Sequence, residues 1–318
     1  MPPVLSIITI VIRSADERTE KICKNLILEQ GVNPEALFIV KEAPFSRAMR
    51  RSFEIGIKEN RKWTLCIDAD VLLRPGSIKK LIGFAEKQKS NVCEIQGFVM
   101  DKFFGGPRQA GNHLYRTSLL KKVITCIPEE GVNIRPENHT LEKMAEIGYK
   151  WKSVPVIVGL HDHEQYNFDI FRKAFVHGIK HLDRAELLVT HWKEKAEEEP
   201  DFIVALKAFS DSIQFRDKAY INRDQVVYHQ KFLETDFEEK TSLSIESINS
   251  NEVESIIKNW KYSSLYYYYF PDRDGLDSKG KASLIKVKRN IRRIGLLKTT
   301  RLIIGEILLN AGKSIKGS

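Results

Sequence analysis

Apolar and polar positions alternate in blocks along the first part of the chain, and these blocks predict strands and helices in turn. Val4–Ile12, Ala36–Val40 and Trp63–Ile67 are apolar runs of strand length. Between them lie two stretches with the 3.6-residue period of an amphipathic helix, one ending near Gly31 and one over Ser46–Asn60. Strand, helix, strand, helix, strand at this spacing predicts a parallel, doubly wound sheet with right-handed crossovers.

The third apolar run ends in two acids, Asp68 and Asp70, that are separated by one alanine. Open α/β sheets bind their ligands at the carboxyl ends of buried strands. Side chains i and i+2 of an extended segment share a face, so we expect both carboxylates in one crevice. Carboxylate oxygens suit Mg²⁺ and Mn²⁺, which in turn bind phosphate oxygens. The alternative interpretation is a turn with two solvated acids.

Length and composition leave room for two domains. The chain has 318 residues, of which 42% are hydrophobic. A change in composition predicts a first domain over residues 1–190 and a mainly helical region over 191–318. Apolar runs stay well short of the ~20 residues of a membrane span. Four well-separated cysteines without metal-site spacing predict reduced core residues of a cytoplasmic protein: Cys23, Cys66, Cys93 and Cys126.

The positive charge is concentrated in the tail. Residues 279–318 carry eleven Lys and Arg residues and one acid, Glu306, so this stretch has a charge of +10, whereas the whole chain has a net charge of +9. The remaining 278 residues therefore sum to about −1, which argues against a nucleic-acid-binding body. Apolar residues interspersed with the basic ones predict an interfacial amphipathic helix that binds an anionic membrane surface. The alternative is a helix packed on the body with a solvated basic face.

The order of the motifs resembles a GT-A fold glycosyltransferase, closest to glycosyltransferase family 2. S-R-A-x(7)-G-I-K over Ser46–Lys58 is followed by C-I-D-A-D-V-L-L-R-P over Cys66–Pro75, and no G-x-G-x-x-G opens either early helix. Asn112–Leu120, Pro136–Lys150 and Val156–His163 resemble later segments of the family, so the resemblance spans roughly residues 4–165. It implies a Rossmann-like, mostly parallel sheet flanked by helices, here with a helical C-terminal extension.

The resemblance implies a metal-dependent enzyme of the hexosyltransferase type. In such enzymes the D-x-D segment holds Mn²⁺ or Mg²⁺ on the diphosphate of a nucleotide-sugar, and a UDP-sugar is expected here. The sugar would pass with inversion to a glycan or lipid-linked acceptor. Asp70, His161 and then His163 are the expected metal ligands, and Asp68 would bind ribose or a metal-bound water. The alternative for the two histidines is an ordinary loop role.

The donor-binding residues are expected in the loops after the first two strands. The loop with Arg13, Ser14 and Asp16 would contact the nucleotide base. Glu42 resembles the acid that pairs with uracil in the family, although the family usually has Asp there. Arg47 would contact the diphosphate, and the alternative for it is an exposed helix face.

The catalytic base is the point at which the sequence departs most from the family. An inverting transferase needs a carboxylate to accept the proton of the acceptor hydroxyl. Matching the first letters of the family's E-D places Asn138 at the aspartate, and an amide is not a general base. Counting back from Gly148-Tyr149 places Glu137 there instead, and we predict Glu137 as the base, with Asp101 and Asp162 in reserve. The alternatives are an inactive GT-A-like scaffold protein and a nucleotidyltransferase on the same fold.

Overall fold

The computed structural model of the protein describes residues 4–215 and 221–270. The strands of these residues are β1 (Ile8–Arg13), β2 (Leu37–Val40), β3 (Trp63–Asp68), β4 (Val71–Leu73), β5 (Val92–Asp101), β6 (Gly106–Arg108), β7 (Asn112–Arg116) and β8 (Lys150–His161). The α-helices are α1 (Glu20–Leu28), α2 (Phe45–Glu59), α3 (Ser77–Ala85), α4 (Leu120–Thr125), α5 (Pro136–Glu146), α6 (Asn167–Lys180), α7 (Ala185–Lys195), α8 (Asp201–Gln214), α9 (Val226–Leu233), α10 (Ser250–Lys258) and α11 (Tyr266–Tyr269).

The eight strands of the described residues form one sheet in the order β2-β1-β3-β7-β5-β8-β4, and β6 pairs with β5. Strands β1, β2, β3, β5 and β8 run in one direction, whereas β4, β6 and β7 run against them. The predicted architecture, a mostly parallel sheet flanked by helices, is confirmed. A helical extension, α6 to α10, follows β8, also as predicted.

Strand β1 shows why the sheet is covered on both faces. All six of its residues are buried. Ile8, Ile10 and Ile12 lie in one core with residues of α1 and α3, whereas Val11 packs on the opposite face with Ala48 of α2. A strand buried on both faces is a continuous apolar run, and this is the pattern that the sequence displays.

One expectation about the elements is corrected. Val4–Ile7 forms a 3₁₀ turn ahead of β1, so the first strand is shorter than predicted. Further along the chain, a 3₁₀ turn over Leu182–Arg184 separates α6 from α7. The stretch 234–252 packs on the core through the buried side chain of Ile248.

The chain divides into two compact units, Met1–Ser263 and Ser264–Ser318. Of the second unit the structure describes residues 264–270, which contain α11. The predicted boundary after residue 190 falls inside the first unit and stays a prediction. The basic tail, 279–318, lies outside the described residues. Among the helices that are described, none combines the length and the apolar character needed to cross a membrane.

Candidate active site

Charged residues stand at the carboxyl ends of four parallel strands. Arg13 ends β1 and pairs in register with Asp68, which ends β3. Asp101 ends β5 and pairs with His161, which ends β8. Val71, the first residue of β4, pairs with His161 from the other side, so the adjoining Asp70 lies beside the same strand end. The topology therefore gathers these side chains at one edge of the sheet.

Asp70, His161 and Asp162 form a buried cluster with the composition of a metal site. Their candidate ligand atoms lie within 4.8 Å of one another. His161 Nε2 is 3.6 Å from Asp70 Oδ1, and His161 Nδ1 is 2.9 Å from Oδ2 of both Asp162 and Asp101. Two carboxylates and an imidazole are a donor set that suits Mn²⁺.

An ammonium group lies inside this cluster. Lys173 of α6 donates hydrogen bonds from Nζ to Asp70 Oδ2 and Asp162 Oδ1. Burial alone would lower the pKa of Lys173, but the negative charges of Asp162 and Asp70 outweigh it and raise that pKa. The same competition between burial and these two carboxylates raises the pKa of His161 to about 10. Lysine and imidazolium therefore neutralise the two acids.

The cluster has unused ligand atoms. Asp70 Oδ1 and Asp162 Oδ2 are buried and accept no hydrogen bond in the described part of the chain, although Oδ2 lies at ion-pair distance from His161. Unsatisfied buried carboxylate oxygens are costly unless a cation contacts them. The residues present therefore fit a divalent cation. Such a cation would compete with the ammonium of Lys173 and with the proton on His161.

A second charged group surrounds Glu137, the predicted base, at the start of α5. Its Oε1 accepts a hydrogen bond of 2.5 Å from Arg13 Nη1, and its Oε2 is 2.9 Å from His113 Nε2. Arg13 also contacts Asp68 Oδ1 through Nε at 2.9 Å and Nη2 at 2.7 Å. His113 Nδ1 is 3.0 Å from Glu94 Oε1. A continuous ion-pair chain thus joins Asp68 to Glu137 and Glu94.

These partners set the protonation of the group. Burial would raise the pKa of Glu137, but Arg13 and His113 outweigh it and hold that pKa far below its usual range. Burial would lower the pKa of His113, but Glu137 and Glu94 raise it to about 10. Glu137 is therefore an anion bound by two cations. A carboxylate in this state is a weak base until one of those contacts is released.

The two acids of the D-A-D segment have different partners. Asp68 ends β3 and binds Arg13, whereas Asp70 lies in the turn before β4 and binds Lys173. The two acids do not lie on one extended segment, because the strand ends at Asp68 and the chain turns at Ala69-Asp70. That both carboxylates open into one crevice stays a prediction.

The other predicted donor residues contact side chains outside these two groups. Ser14 Oγ is within hydrogen-bond distance of the carboxylates of Glu17 and Glu20, and Asp16 forms an ion pair with Lys41. Glu42 is half-buried and lies 3.8 Å from Arg51 Nε, and Arg47 is exposed on α2. Their roles in donor binding stay predictions.

His163 is separate from the Asp70 cluster. It is half-buried and lines a groove of about 360 Å³ together with Glu164, Ile248 and Ile256. Its backbone carbonyl accepts a hydrogen bond from Lys102 Nζ at 3.1 Å. Asp162, which the sequence suggested only as a reserve base, takes the place in the cluster that was expected for His163.

Two residues of the site have no signal in the sequence. Lys173 belongs to a helix whose apolar face alone was informative, and its contacts depend on how α6 crosses the sheet edge. His113 lies in β7 between buried neighbours, so a core role is the simpler interpretation of its position. A buried histidine next to a D-x-D strand could have been singled out, but its carboxylate partners come from distant segments.

Comparison with known proteins gives distant similarities only. No protein-family model and no curated protein sequence matches the chain. A solved glycosyltransferase involved in the glycosylation of the major capsid of PBCV-1 is similar over 46% of this chain and 81% of its own, at 19% identity and a TM-score of 0.33. A mannosyltransferase from Pyrobaculum calidifontis in complex with GDP-Man and Mn²⁺ matches over 65% of this chain and 74% of its own, at 13% identity and a TM-score of 0.36.

A synthetase that was solved with CTP is similar to the same degree. The CMP:2-keto-3-deoxy-manno-octonic acid synthetase complexed with CTP matches over 48% of this chain and 92% of its own, at 10% identity and a TM-score of 0.33. At TM-scores this low the likenesses carry no argument about what this chain does.

Proposed function

We propose that the protein is a metal-dependent glycosyltransferase that moves a sugar from a UDP-sugar to a glycan or lipid-linked acceptor with inversion. The observation that supports this most is the buried cluster of Asp70, His161 and Asp162, in which one oxygen of each carboxylate accepts no hydrogen bond from the residues that the structure describes. The cation would be Mn²⁺ or Mg²⁺. When bound, it would neutralise negative charge on the diphosphate leaving group.

The residues of the chain have distinct tasks in this proposal. Asp70, His161 and Asp162 would hold the cation. Asp68 is held by Arg13 and orients the nucleoside. Glu137 accepts the proton of the acceptor hydroxyl as that oxygen bonds to the anomeric carbon and the nucleoside diphosphate departs. For that step one of the contacts of Glu137 to Arg13 or His113 must be released.

The metal site is tested by one substitution. Asp70→Ala should abolish the binding of UDP in the presence of Mn²⁺, because it removes the carboxylate that contacts both Lys173 and His161. Isothermal titration calorimetry measures the affinity, and the thermal unfolding midpoint shows whether the variant folds. Asp183→Ala is the control, because Asp183 is exposed and its one ion pair with the residues that the structure describes is to its neighbour Arg184. Unchanged UDP affinity in Asp70→Ala would remove the metal-site proposal.

Lys173 favours one alternative, a GT-A-like scaffold protein without activity. Its ammonium bonds to the two carboxylates that a divalent cation would contact. In a scaffold this contact would be permanent, and Mn²⁺ would not bind. In the enzyme, Lys173→Met should bind Mn²⁺ more tightly than the wild type, because the competing ammonium is gone while both acids remain.

A further inference from the structure

Two lysines and a buried histidine lie on one face of helix α6 beside the candidate site. Lys173, His177 and Lys180 follow one another at i, i+4 and i+7, so they lie on one face of the helix. At a rise of about 1.5 Å per residue, Lys180 lies roughly 10 Å beyond Lys173 along the helix. Two turns of helix therefore separate Lys180 from the Asp70 cluster.

Two arginines from other segments approach the same end of α6. Arg135, which precedes α5, donates a hydrogen bond of 2.8 Å from Nη2 to the backbone oxygen of Lys180. Arg108, at the end of β6, stacks over the ring of Phe104 at 4.5 Å, and that ring in turn packs against His177. Arg108, Arg135 and Lys180 are all half-buried. Arg135 and Arg108 thus both approach the last turn of α6, and Arg135 stands two residues before Glu137.

The anions nearby are already engaged. Asp101 pairs with Arg108 at 2.5 Å, and both oxygens of Glu137 contact Arg13 and His113. Lys180 Nζ has no hydrogen bond or ion pair with any residue that the structure describes. Burial and the charges of Arg108 and Arg135 lower the pKa of Lys180 to about 7, although Glu137 acts against them. A half-buried ammonium beside two other cations is unfavourable unless a ligand supplies negative charge.

We infer that Lys180, Arg135 and Arg108 bind an anionic group of the acceptor, a phosphate or a carboxylate. The inference rests on the proposed function, because it names the class of acceptor for the same site. The donor diphosphate belongs at Asp70, two helical turns away, so the anion at Lys180 is a different one. Arg135 contacts the backbone of Lys180 and stands two residues before Glu137, so an acceptor anchored there would have a neighbouring hydroxyl on the side of the predicted base.

The test uses methyl phosphate as the probe, with acetate as a second probe for a carboxylate. Calorimetry measures their affinity for the wild-type protein with UDP and Mg²⁺ held at saturation, so that the donor site is filled. We expect methyl phosphate or acetate to bind, and Lys180→Met to weaken the binding by roughly 10- to 100-fold, the usual effect of losing a charged hydrogen-bond donor. Lys180→Arg should keep most of the affinity. Lys79→Met, at an exposed position of α3, should change nothing.

Each contrary result has one meaning. Equal affinity in Lys180→Met and wild type, or no binding of either probe, overturns the inference while UDP binding leaves the proposed function standing. Probe binding that is found in a parallel titration without UDP and is lost at saturating UDP assigns the anion to the donor site and overturns the inference as well. Absence of UDP binding in the wild type overturns the proposed function itself. If Lys180→Met does not fold, as judged by its thermal unfolding, Arg135→Met replaces it with the same expectation.

Discussion

Glu137 is engaged at both carboxylate oxygens, and this arrangement determines what the residue can do. Arg13 and His113 stabilise its anion, and Arg13 also joins it to Asp68 of the D-A-D segment. Charge-assisted hydrogen bonds of this kind are about twice as strong as neutral ones. The same contacts that join Glu137 to the D-A-D segment lower its basicity. In the proposed function, the residue would couple the position of the acceptor side to that of the donor side.

The role of Glu137 can be tested with an isosteric change. We predict that Glu137→Gln keeps UDP affinity in Mn²⁺ but lowers the transfer rate by on the order of 10²–10⁴, the usual contribution of a general base. Steady-state transfer kinetics give the rate. Asn138→Ala is the control and should have little effect, because Asn138 is exposed and, within the described part of the chain, its side-chain amide donates a hydrogen bond to Glu142 on the same helix and to no other residue.

Full transfer activity in Glu137→Gln would contradict the assignment. The base would then be sought at Asp101 or Asp162. Both are buried beside His161, and each has its pKa lowered, against the effect of burial, by nearby cations.

Helix α6, which carries Lys173 of the site, packs closely against α8 at a glycine. A Cβ atom at Gly178 would lie 1.9 Å from Ser212 Oγ and 3.0 Å from Ser212 Cβ of α8. The two helices approach closely at this point, and the approach fixes the positions of Lys173 and Lys180 on the neighbouring turns. The positions of Lys173 and Lys180 therefore depend on the small, uncharged residue Gly178.

Substitution of this glycine should reduce stability. We predict that Gly178→Ala lowers the free energy of unfolding by about 1–3 kcal/mol, the usual effect of overpacking a close helix contact. Urea denaturation measures it. Gly83→Ala is the matched control, because Gly83 is also helical but has no atom within 4 Å of the added Cβ. The control should gain about 0.5–1 kcal/mol, since alanine favours the helix. A neutral or stabilising Gly178→Ala would contradict the close-packing argument.

The elements were largely predictable from the sequence because they depend on local patterns. Apolar runs marked β1 and β3, and the 3.6-residue period marked α1 and α2 with boundaries close to those observed. The D-A-D segment was placed at the correct sheet edge because its acids follow a buried strand. What local pattern could not supply is the partner of each acid. Lys173 is 103 residues from Asp70 in the chain, and their contact depends on tertiary packing.

At the scale of the whole molecule the charge is divided between a nearly neutral body and a basic tail. Residues 279–318 have a charge of +10, whereas the whole chain has a net charge of +9. An enzyme that acts on a lipid-linked acceptor would benefit from attachment to the membrane surface. Each basic residue near an anionic surface contributes about 1 kcal/mol to such binding. Reversible attachment of the tail to such a surface stays a prediction.

The tail prediction can be tested by sedimentation with vesicles. We predict that the full chain binds vesicles containing an anionic phospholipid and that a chain ending at residue 278 does not. Salt should weaken the binding, because it screens the attraction between the tail and the surface. Neutral vesicles are the control. Equal sedimentation of both proteins would leave the alternative of a tail helix that packs on the body.

The central claim is that the Asp70 cluster activates a nucleotide-sugar, and the most direct measurement is release of the nucleoside diphosphate. The wild-type protein would be incubated with a panel of nucleotide-sugars in Mn²⁺. We predict slow hydrolysis of at least one UDP-sugar, lost on chelation of the metal and in Asp70→Asn. If the wild type neither hydrolyses nor binds any nucleotide-sugar in Mn²⁺ or Mg²⁺, the protein is not a glycosyltransferase of this kind and the scaffold alternative is correct.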